Sequence, residues 1–199
     1  LDAAFTKPFG IQPFYPGPGV GGHCIPVDPF YLAWKAREYD FSTRFIELAG
    51  EINLSMPYFV VQKAERILGL QGKPLRGSRV LVLGVTYKED LPDMRESPAV
   101  KVIQLLVRER CDVSYYDPYV PRLVVQMHDQ GAYGTSGFAD VTICDALTRE
   151  KVAAADLVLI LTAHSSIDYA MVVDSAAAVL DTRNAVGNVI GSHGNVWFI

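Results

Sequence analysis

The sequence predicts an α/β protein in which a long central helix region is followed by a Rossmann-like, doubly wound parallel sheet. The sheet is indicated by short apolar runs rich in β-branched residues, which alternate with stretches of helical spacing. The helix region is indicated by apolar residues that recur at helical spacing from about residue 42 to residue 70. We therefore expect residues 1–72 to carry the helices and residues 73–199 to carry the sheet.

Two helices are expected in the first part. The first runs from Pro29 to about residue 39, because Asp28 is a good N-cap and Pro29 a good first helical residue. The second runs from about residue 42 to residue 70, and Pro57 should kink or interrupt it because proline has no amide proton to donate. Its apolar residues cover a wide face, which needs partners on more than one side, within the subunit or at an interface.

A segment rich in helix breakers, residues 69–77, marks the boundary between the two parts. Beyond it, strands are expected at residues 80–83, 113–116, 157–161 and 178–180, with a further candidate at 141–144. Ser97 and Pro98 begin a helix after the first strand. Ligands of such sheets bind beyond the carboxyl ends of the strands, so the residues that follow these strands are candidates for binding.

The composition limits the classes of partner. Of the 199 residues, 50% are hydrophobic and 20% are charged, and the net charge of −4 gives no support for binding to nucleic acid or to an anionic membrane. No apolar run approaches the roughly 18 residues that span a bilayer. The cysteines Cys24, Cys111 and Cys144 are far apart in the sequence, which favours a reducing compartment without disulfides or zinc. We therefore expect a cytoplasmic protein.

A glycine-rich loop near the N-terminus leads to a cysteine at the start of the first helix. It reads Gly17-Pro18-Gly19-Val20-Gly21-Gly22-His23-Cys24. Such glycines let backbone N–H groups approach a phosphate or a sugar oxygen. The positive end of the helix favours a thiolate, so Cys24 is a candidate nucleophile. From the residues alone, Cys24 is also compatible with a small buried side chain and the glycines with an ordinary loop.

This segment resembles the one that carries the cysteine nucleophile in the UDP-glucose/GDP-mannose dehydrogenase family of nucleotide-sugar 6-dehydrogenases. The form that begins Phe14-Tyr15-Pro16-Gly17 is most similar to members that oxidise UDP-N-acetylhexosamines. UDP-glucose members usually carry a lysine where Val27 stands, which argues against glucose. The resemblance continues through Lys88, residues 93–98 and residues 181–184, and so spans nearly the whole chain.

The resemblance implies an activity that this chain does not complete alone. It implies oxidation of the sugar C6 alcohol to a carboxylate with NAD, through a thiohemiacetal and a thioester on Cys24, while Asp28 positions or activates the water. It also implies a homodimer through the long central helix, and a product used in polysaccharide biosynthesis. The start at Leu1 looks like a helix cut from a longer enzyme, with the NAD-binding domain before it. We therefore expect the isolated chain to be inactive.

The resemblance also assigns binding residues. Arg95 would reach the pyrophosphate of NAD, and Lys7 would reach the substrate of a neighbouring subunit. The sugar nucleotide would contact the following residues: Tyr15, Gly17, Gly19, Gly21, Gly22, Lys88 and Arg183. The residues alone favour a solvated loop with internal charge pairs for the segment that carries Lys88 and Arg95. Tyr15 is also compatible with a packing role. At the end of the 157–161 strand, His164 favours a hydrogen-bonded structural role over an acid–base role.

The sequence leaves several alternatives open for the ligand and the function. The loop after residue 83 lacks the further glycines of the G-x-G-x-x-G fingerprint, so we do not expect NAD to bind at that strand. GDP-mannose and UDP-glucose are alternative substrates of the same enzyme class. A non-catalytic nucleotide-sugar-binding or dimerisation module is an alternative of another class. The epimer of the sugar depends on one or two hydrogen bonds that the sequence does not reveal.

Overall fold

The computed structural model describes residues 1–11, 15–128, 136–189 and 194–199. The helices are α1 (Asp2–Phe5), α2 (Asp28–Arg37), α3 (Arg44–Leu70), α4 (Pro98–Arg108), α5 (Arg149–Ala154) and α6 (Tyr169–Ser175). The strands are β1 (Arg79–Leu83), β2 (Asp112–Tyr116), β3 (Val124–His128), β4 (Ser136–Asp140), β5 (Thr142–Ile143), β6 (Leu157–Ile160), β7 (Val179–Asp181) and β8 (Val196–Phe198). The predicted α/β class is confirmed.

Within the described residues, a parallel sheet of six strands has the order β5-β2-β1-β6-β7-β8. Strands β1 and β6 are buried nearly throughout, as expected for central strands covered on both faces. The strand order reverses between β1 and β6, which is the position where doubly wound sheets usually open a ligand crevice at their carboxyl ends. The antiparallel pair β3–β4 and the edge strand β8 were not predicted.

Helix α3 continues through Pro57 without a break, so of the two expected effects of this proline only a kink stays a prediction. Proline removes the hydrogen bond to the carbonyl four residues earlier and its ring crowds that carbonyl, and the hydrogen bonds of the other turns sustain the helix. The C-terminal half of α3 buries Val60, Ala64 and Ile67 in the core that it shares with α4 and the sheet. The N-terminal half leaves large apolar side chains exposed, and α2 packs on it where the Phe30 ring lies against Gly50.

Helix α2 begins one residue earlier than predicted. Its N-cap is Val27, and Asp28 is the first helical residue, so the expectation that Asp28 caps the helix is wrong. The amides of Val27 and Asp28 both donate to the carbonyl of Cys24, at 3.1 and 2.8 Å, and this turn starts the helix without a side-chain cap. No helix among the described residues combines the length and apolarity needed to cross a membrane.

Candidate active site

The glycine loop lies directly on the loop that joins β1 to α4. The Gly22 amide donates to the Arg95 carbonyl at 3.0 Å. A Cβ at Gly21 would lie 2.6 Å from the Glu96 carbonyl oxygen, and one at Gly22 would lie 2.9 Å from the Tyr87 ring. Gly22 also has a φ of +88°, which favours glycine. These two positions therefore require glycine for close approach, and the approach joins the helical part to the carboxyl edge of the sheet.

The other end of the glycine loop contacts Arg183, beyond the carboxyl end of β7. A Cβ at Gly17 would lie 2.6 Å from a guanidinium nitrogen of Arg183. The Arg183 backbone is held by Asp181, whose buried carboxylate accepts from the amides of Arg183 at 2.8 Å and Val186 at 2.9 Å. The structure therefore brings Gly17 and Arg183 together, although 165 intervening residues separate them in the sequence.

Cys24 and Asp28 lie on a single turn at the start of α2. The Asp28 amide donates to the Cys24 carbonyl, and both residues are exposed. The thiol is therefore accessible near the N-terminus of a ten-residue helix, with a carboxylate one helical turn away. An accessible thiol and a nearby carboxylate are the groups that covalent capture of a carbonyl and activation of a water require.

Lys88 and Arg95 are both exposed on the β1–α4 loop. The Arg95 guanidinium binds Asp93, with an N–O distance of 2.6 Å, and holds the pKa of that carboxyl below its usual value. Arg95 thus forms the internal charge pair that the sequence left as an alternative. The Lys88 carbonyl accepts a hydrogen bond from the Thr86 hydroxyl at 2.9 Å, which shapes the turn that presents the lysine side chain.

Tyr15 and Lys7 contact their own N-terminal segment. The Tyr15 hydroxyl donates to Asp2 at 3.2 Å, and its ring packs edge-on against Phe5 with the centroids 5.1 Å apart. The Lys7 ammonium lies 5.5 Å from the centre of the Phe9 ring. The contacts of these two side chains therefore lie within the N-terminal segment itself. Phe14, part of the motif that carries the resemblance, lies outside the described residues.

Three residues that the sequence analysis did not assign also shape the site. Asn53 of α3 bonds both backbone groups of Val20 in the glycine loop. Tyr87 supplies the ring beneath Gly22, and Asp117 accepts hydrogen bonds from His164 and from the Val85 amide. Two of these roles had a signal in the sequence: Asn53 is a polar amide in an otherwise apolar helix, and Asp117 is an aspartate directly after a strand.

The buried Asp117 carboxylate is held ionised. Burial alone would raise its pKa, but the hydrogen bonds from His164, the Val85 amide and the Tyr119 amide hold the pKa of Asp117 below its usual value. The fully buried His164 side chain therefore has a charged partner at 3.0 Å, and a structural role agrees with this geometry.

The loops that follow β1 and β6 pack closely on each other. A Cβ at Gly84 would lie 2.5 Å from Thr162, and the Thr162 hydroxyl donates to the Thr86 carbonyl at 2.6 Å. The buried His164 side chain occupies the same end of the sheet. Within the described ranges, no group of three or more His, Cys, Asp or Glu side chains is placed to hold a metal ion.

An apolar groove of about 550 Å³ lies beside the start of α2. It is lined by Pro26, Val27, Phe30, Tyr31 and Trp34. A nucleotide needs donors for its phosphates, and this apolar and aromatic lining is instead suited to a protein surface. The groove is therefore not the nucleotide site, although it is close to Cys24 in the sequence.

Two profiles of one protein family match the chain. The profile described as the UDP-glucose/GDP-mannose dehydrogenase family, UDP binding domain, matches residues 81–188, more than half of the chain. The profile of the central domain of the same family matches residues 1–55, which include the glycine loop and Cys24.

Curated relatives are similar over much of this chain. The UDP-N-acetyl-D-mannosamine dehydrogenase of Methanocaldococcus jannaschii is 36% identical over 149 residues, which are 75% of this chain and 29% of that protein. The UDP-N-acetyl-D-glucosamine 6-dehydrogenase of Pseudomonas aeruginosa is 37% identical over 120 residues, which are 60% of this chain and 28% of that protein. The chain thus matches less than a third of the length of these relatives.

Solved structures have the same fold. A UDP-D-ManNAc dehydrogenase from Pyrococcus horikoshii superposes with a TM-score of 0.73 at 26% identity, over 99% of this chain and 42% of that chain. The UDP-N-acetyl-mannosamine dehydrogenase from Staphylococcus aureus superposes with a TM-score of 0.66 at 32% identity, over 99% of this chain and 41% of that chain.

Proposed function

The chain belongs to the UDP-glucose/GDP-mannose dehydrogenase family, and on that premise we propose that it is the cysteine-bearing and sugar-nucleotide-binding part of an NAD-dependent UDP-N-acetylhexosamine 6-dehydrogenase. One observation carries the proposal. The loop that precedes Cys24 lies on the carboxyl edge of the UDP-binding domain, through the Gly22–Arg95 hydrogen bond and the contact of Gly17 with Arg183. A nucleotide held at that edge would have its sugar close to the cysteine loop.

This contact supports a separate role for each of the two parts of the chain. Residues 1–72 would supply the cysteine loop and the dimerisation helices, and residues 73–199 would bind the UDP moiety. Lys88 and Arg183 would bind the phosphates, because a lysine supplies a mobile charge and an arginine a two-pronged donor. The backbone amides of Gly17, Gly19 and Gly21 would approach the sugar and its phosphate. The Gly22 amide would have to exchange its present partner, the Arg95 carbonyl, to do the same. Tyr15 would bind the substrate through its loop, and Lys7 would reach the substrate of a neighbouring subunit.

The chemistry proposed for this chain is covalent capture of an aldehyde. The Cys24 thiolate adds to the C6 carbonyl carbon and forms a thiohemiacetal, which holds the reactive intermediate until it is oxidised to the thioester. Asp28 accepts a proton from a water that attacks the thioester, and the Cys24 thiolate leaves as the carboxylate forms. This sequence of steps accounts for an accessible thiol one turn from a carboxylate.

NAD would supply the hydride acceptor of this oxidation. Because the loop after β1 lacks the G-x-G-x-x-G fingerprint, we propose that NAD binds mainly to a domain outside this chain. Arg95 is the proposed contact of this chain to the cofactor pyrophosphate, and to make it the guanidinium would have to exchange its present partner, Asp93. We therefore expect the isolated chain to bind the sugar nucleotide without turning it over. We propose that the full-length enzyme acts in the cytoplasm and that its product is used in polysaccharide biosynthesis.

The proposed substrate class follows the relatives. Those named above act, by name, on UDP-linked N-acetylmannosamine and N-acetylglucosamine, so both epimers belong in the test. The test measures NADH formed per sugar consumed by a full-length enzyme that contains this chain, with Cys24→Ser as the variant and Cys144→Ser as the control. We expect two NADH per sugar, and a Cys24→Ser variant that forms no acid.

The other outcomes of this test identify the alternatives. Turnover of GDP-mannose or UDP-glucose instead would overturn the substrate class. Turnover by the Cys24→Ser variant at the wild-type rate would overturn the role of the cysteine. No NADH with any of these sugars, together with UDP binding, would leave a non-catalytic nucleotide-sugar-binding module.

We also propose a homodimer through the N-terminal half of α3. Exposed apolar side chains recur there on one face at helical spacing: Phe45, Leu48 and Ile52. Phe45 is 88% exposed, which is unusual for a residue of its size. Sedimentation should show a dimer for the wild type and for the control Glu51→Gln, and a monomer for Ile52→Glu. A monomeric wild type contradicts the proposal.

A further inference from the structure

His164 occupies the point at which the strand order of the sheet reverses. It follows β6, and its side chain is fully buried between the loops that follow β1 and β2. In doubly wound sheets this position is normally the ligand crevice. Here a protein side chain fills it, and that side chain bonds to both neighbouring loops.

The hydrogen bonds determine which ring nitrogen of His164 carries the proton. The Asp90 amide donates to Nδ1 at 3.0 Å, so Nδ1 is an acceptor and carries no proton. Nε2 therefore carries the proton, and it donates to the Asp117 carboxylate at 3.0 Å. The Thr86 hydroxyl, 3.3 Å from Nε2, donates to the Lys88 carbonyl and can only accept from the ring. Both nitrogens are thus engaged in one fixed tautomer.

The bond to Asp90 fixes the loop that presents Lys88. Asp90 has a φ of +55°, an uncommon conformation for a residue with a side chain, and it needs external contacts to persist. His164 holds its amide, and the Ser165 amide donates to its carboxylate at 3.0 Å. Lys88 is two residues before Asp90, and Tyr87, which lies beneath Gly22, is three residues before it.

We propose that His164 is a positioning residue for nucleotide-sugar binding. Its hydrogen bond to the Asp90 amide, which we call the brace, holds the loop that bears Lys88. This inference rests on the function proposed above and adds a residue that touches neither substrate nor cofactor. The brace acts through Nδ1, because Nδ1 holds the loop residue whose conformation is strained. The bond from Nε2 to Asp117 serves mainly to keep the proton off Nδ1.

Two substitutions separate the two nitrogens. His164→Asn places an amide oxygen near the position of Nδ1 and loses the donor to Asp117, whereas His164→Gln places an amide nitrogen near the position of Nε2 and loses the acceptor for Asp90. Calorimetric titration of this chain with UDP measures the consequence. We expect the affinity of the Asn variant to stay within about threefold of the wild type, and that of the Gln variant to fall by about tenfold or more.

A merely structural role would give a different pattern. It predicts equal UDP affinity for both variants once they are folded, or a loss that follows the melting temperature alone, and either result overturns the proposal. If the Gln variant does not fold, hydrogen exchange in the wild type tests the proposal instead. UDP should then slow the exchange of amides 85–95, including that of Asp90, and an unchanged Asp90 amide contradicts the brace.

Failure of the proposed function is distinguishable from failure of the brace. If the wild-type chain binds neither UDP nor a UDP-N-acetylhexosamine, nucleotide-sugar binding by this chain fails. The brace is then tested by hydrogen exchange of the two His164 variants in the absence of ligand. The Asp90 amide should exchange faster in His164→Gln than in His164→Asn, and equal rates overturn it.

Discussion

The Asn53 carboxamide forms two hydrogen bonds with the backbone of Val20. The Val20 amide donates to Oδ1 at 2.7 Å, and Nδ2 donates to the Val20 carbonyl at 3.0 Å, so the orientation of the carboxamide is fixed by its partners. Pro57 cannot donate to the Asn53 main-chain carbonyl, and a Cβ at Gly19 would lie 3.4 Å from that oxygen. Helix α3 therefore holds the glycine loop from one side while the sheet domain holds it from the other.

Replacing Asn53 by leucine should release this side of the loop. Leucine has a similar shape and forms neither hydrogen bond, so the free energy of unfolding should fall by about 1–2 kcal/mol. The effect specific to the lost hydrogen bonds is faster hydrogen exchange at the Val20 amide, measured on the folded chain. Ser55→Ala is the matched control, because the Ser55 hydroxyl bonds the Ile52 carbonyl within α3 itself. Unchanged exchange at Val20 in the leucine variant would show that the loop does not depend on Asn53.

Replacing Gly21 by alanine should push the glycine loop away from the sheet domain. The new Cβ would lie 2.6 Å from the Glu96 carbonyl oxygen and 2.9 Å from Pro98 Cδ, and backbone atoms cannot rotate away. We expect a loss of about 1–3 kcal/mol in the free energy of unfolding, measured with urea. A loss of the Gly22–Arg95 hydrogen bond should accompany it.

The control for this substitution is Gly69→Ala. Gly69 lies inside α3, and a Cβ there would meet no atom within 4 Å. Alanine is the better helix former by about 1 kcal/mol, so this variant should be as stable as the wild type or more stable. Equal destabilisation by both alanines would contradict the close approach at Gly21.

The local parts of the fold could be predicted from the sequence, and the contacts between parts could not. Runs such as residues 80–83 and 157–161 are continuous and apolar, so β1 and β6 were predictable from short segments. The pair β3–β4 mixes polar and apolar residues, and β8 has three residues, so neither gives a comparable signal. The sequence left open whether Pro57 kinks or breaks the helix, and the continuous helix excludes the break because the packing of α3 outweighs the loss of one hydrogen bond.

The same distinction applies to the site. The glycine spacing before Cys24 predicted close approach of the backbone to a ligand, which stays a prediction, whereas Gly21 and Gly22 closely approach other parts of the protein. Their partners, Tyr87 and Glu96, are more than 60 residues away in the sequence, and residue spacing contains no information about which distant loops meet. The roles of Asn53 and His164 depend on hydrogen bonds that form only after folding, so they required the structure.

Thiol labelling should identify a single fast-reacting cysteine in the folded chain. Cys24 is exposed, whereas burial raises the pKa of Cys111 to about 11 and also raises the pKa of Cys144. Since the thiolate is the reacting form, a disulfide reagent at pH 7 should modify Cys24 first and the other two only after unfolding. Cys24→Ser should abolish the fast phase, and Cys111→Ser should preserve it. A fast phase that survives in Cys24→Ser would place the accessible thiol elsewhere.

Asp156 should make the stability of the sheet domain sensitive to acid. Its side chain is only 11% exposed, and hydrogen bonds from Arg79 and then Lys73 hold the pKa of Asp156 well below its usual value. A carboxyl with a lowered folded-state pKa contributes stability above its unfolded pKa, about 4, and loses that contribution as the pH falls towards the folded value. Asp156→Asn should therefore lower the free energy of unfolding at pH 7 by about 1–2 kcal/mol, a modest value because both cations are partly exposed.

The pH dependence gives this prediction its specific form. The stability difference between the wild type and Asp156→Asn should be constant above about pH 5 and should narrow below about pH 4, where the unfolded wild type takes up the proton. Asp140→Asn is the control, since Asp140 pairs with Arg122 on the surface with both side chains mostly exposed, and its effect should stay below about 0.5 kcal/mol. A difference that persists unchanged at pH 3 would mean that Asp156 stabilises the domain through its shape and not through its charge.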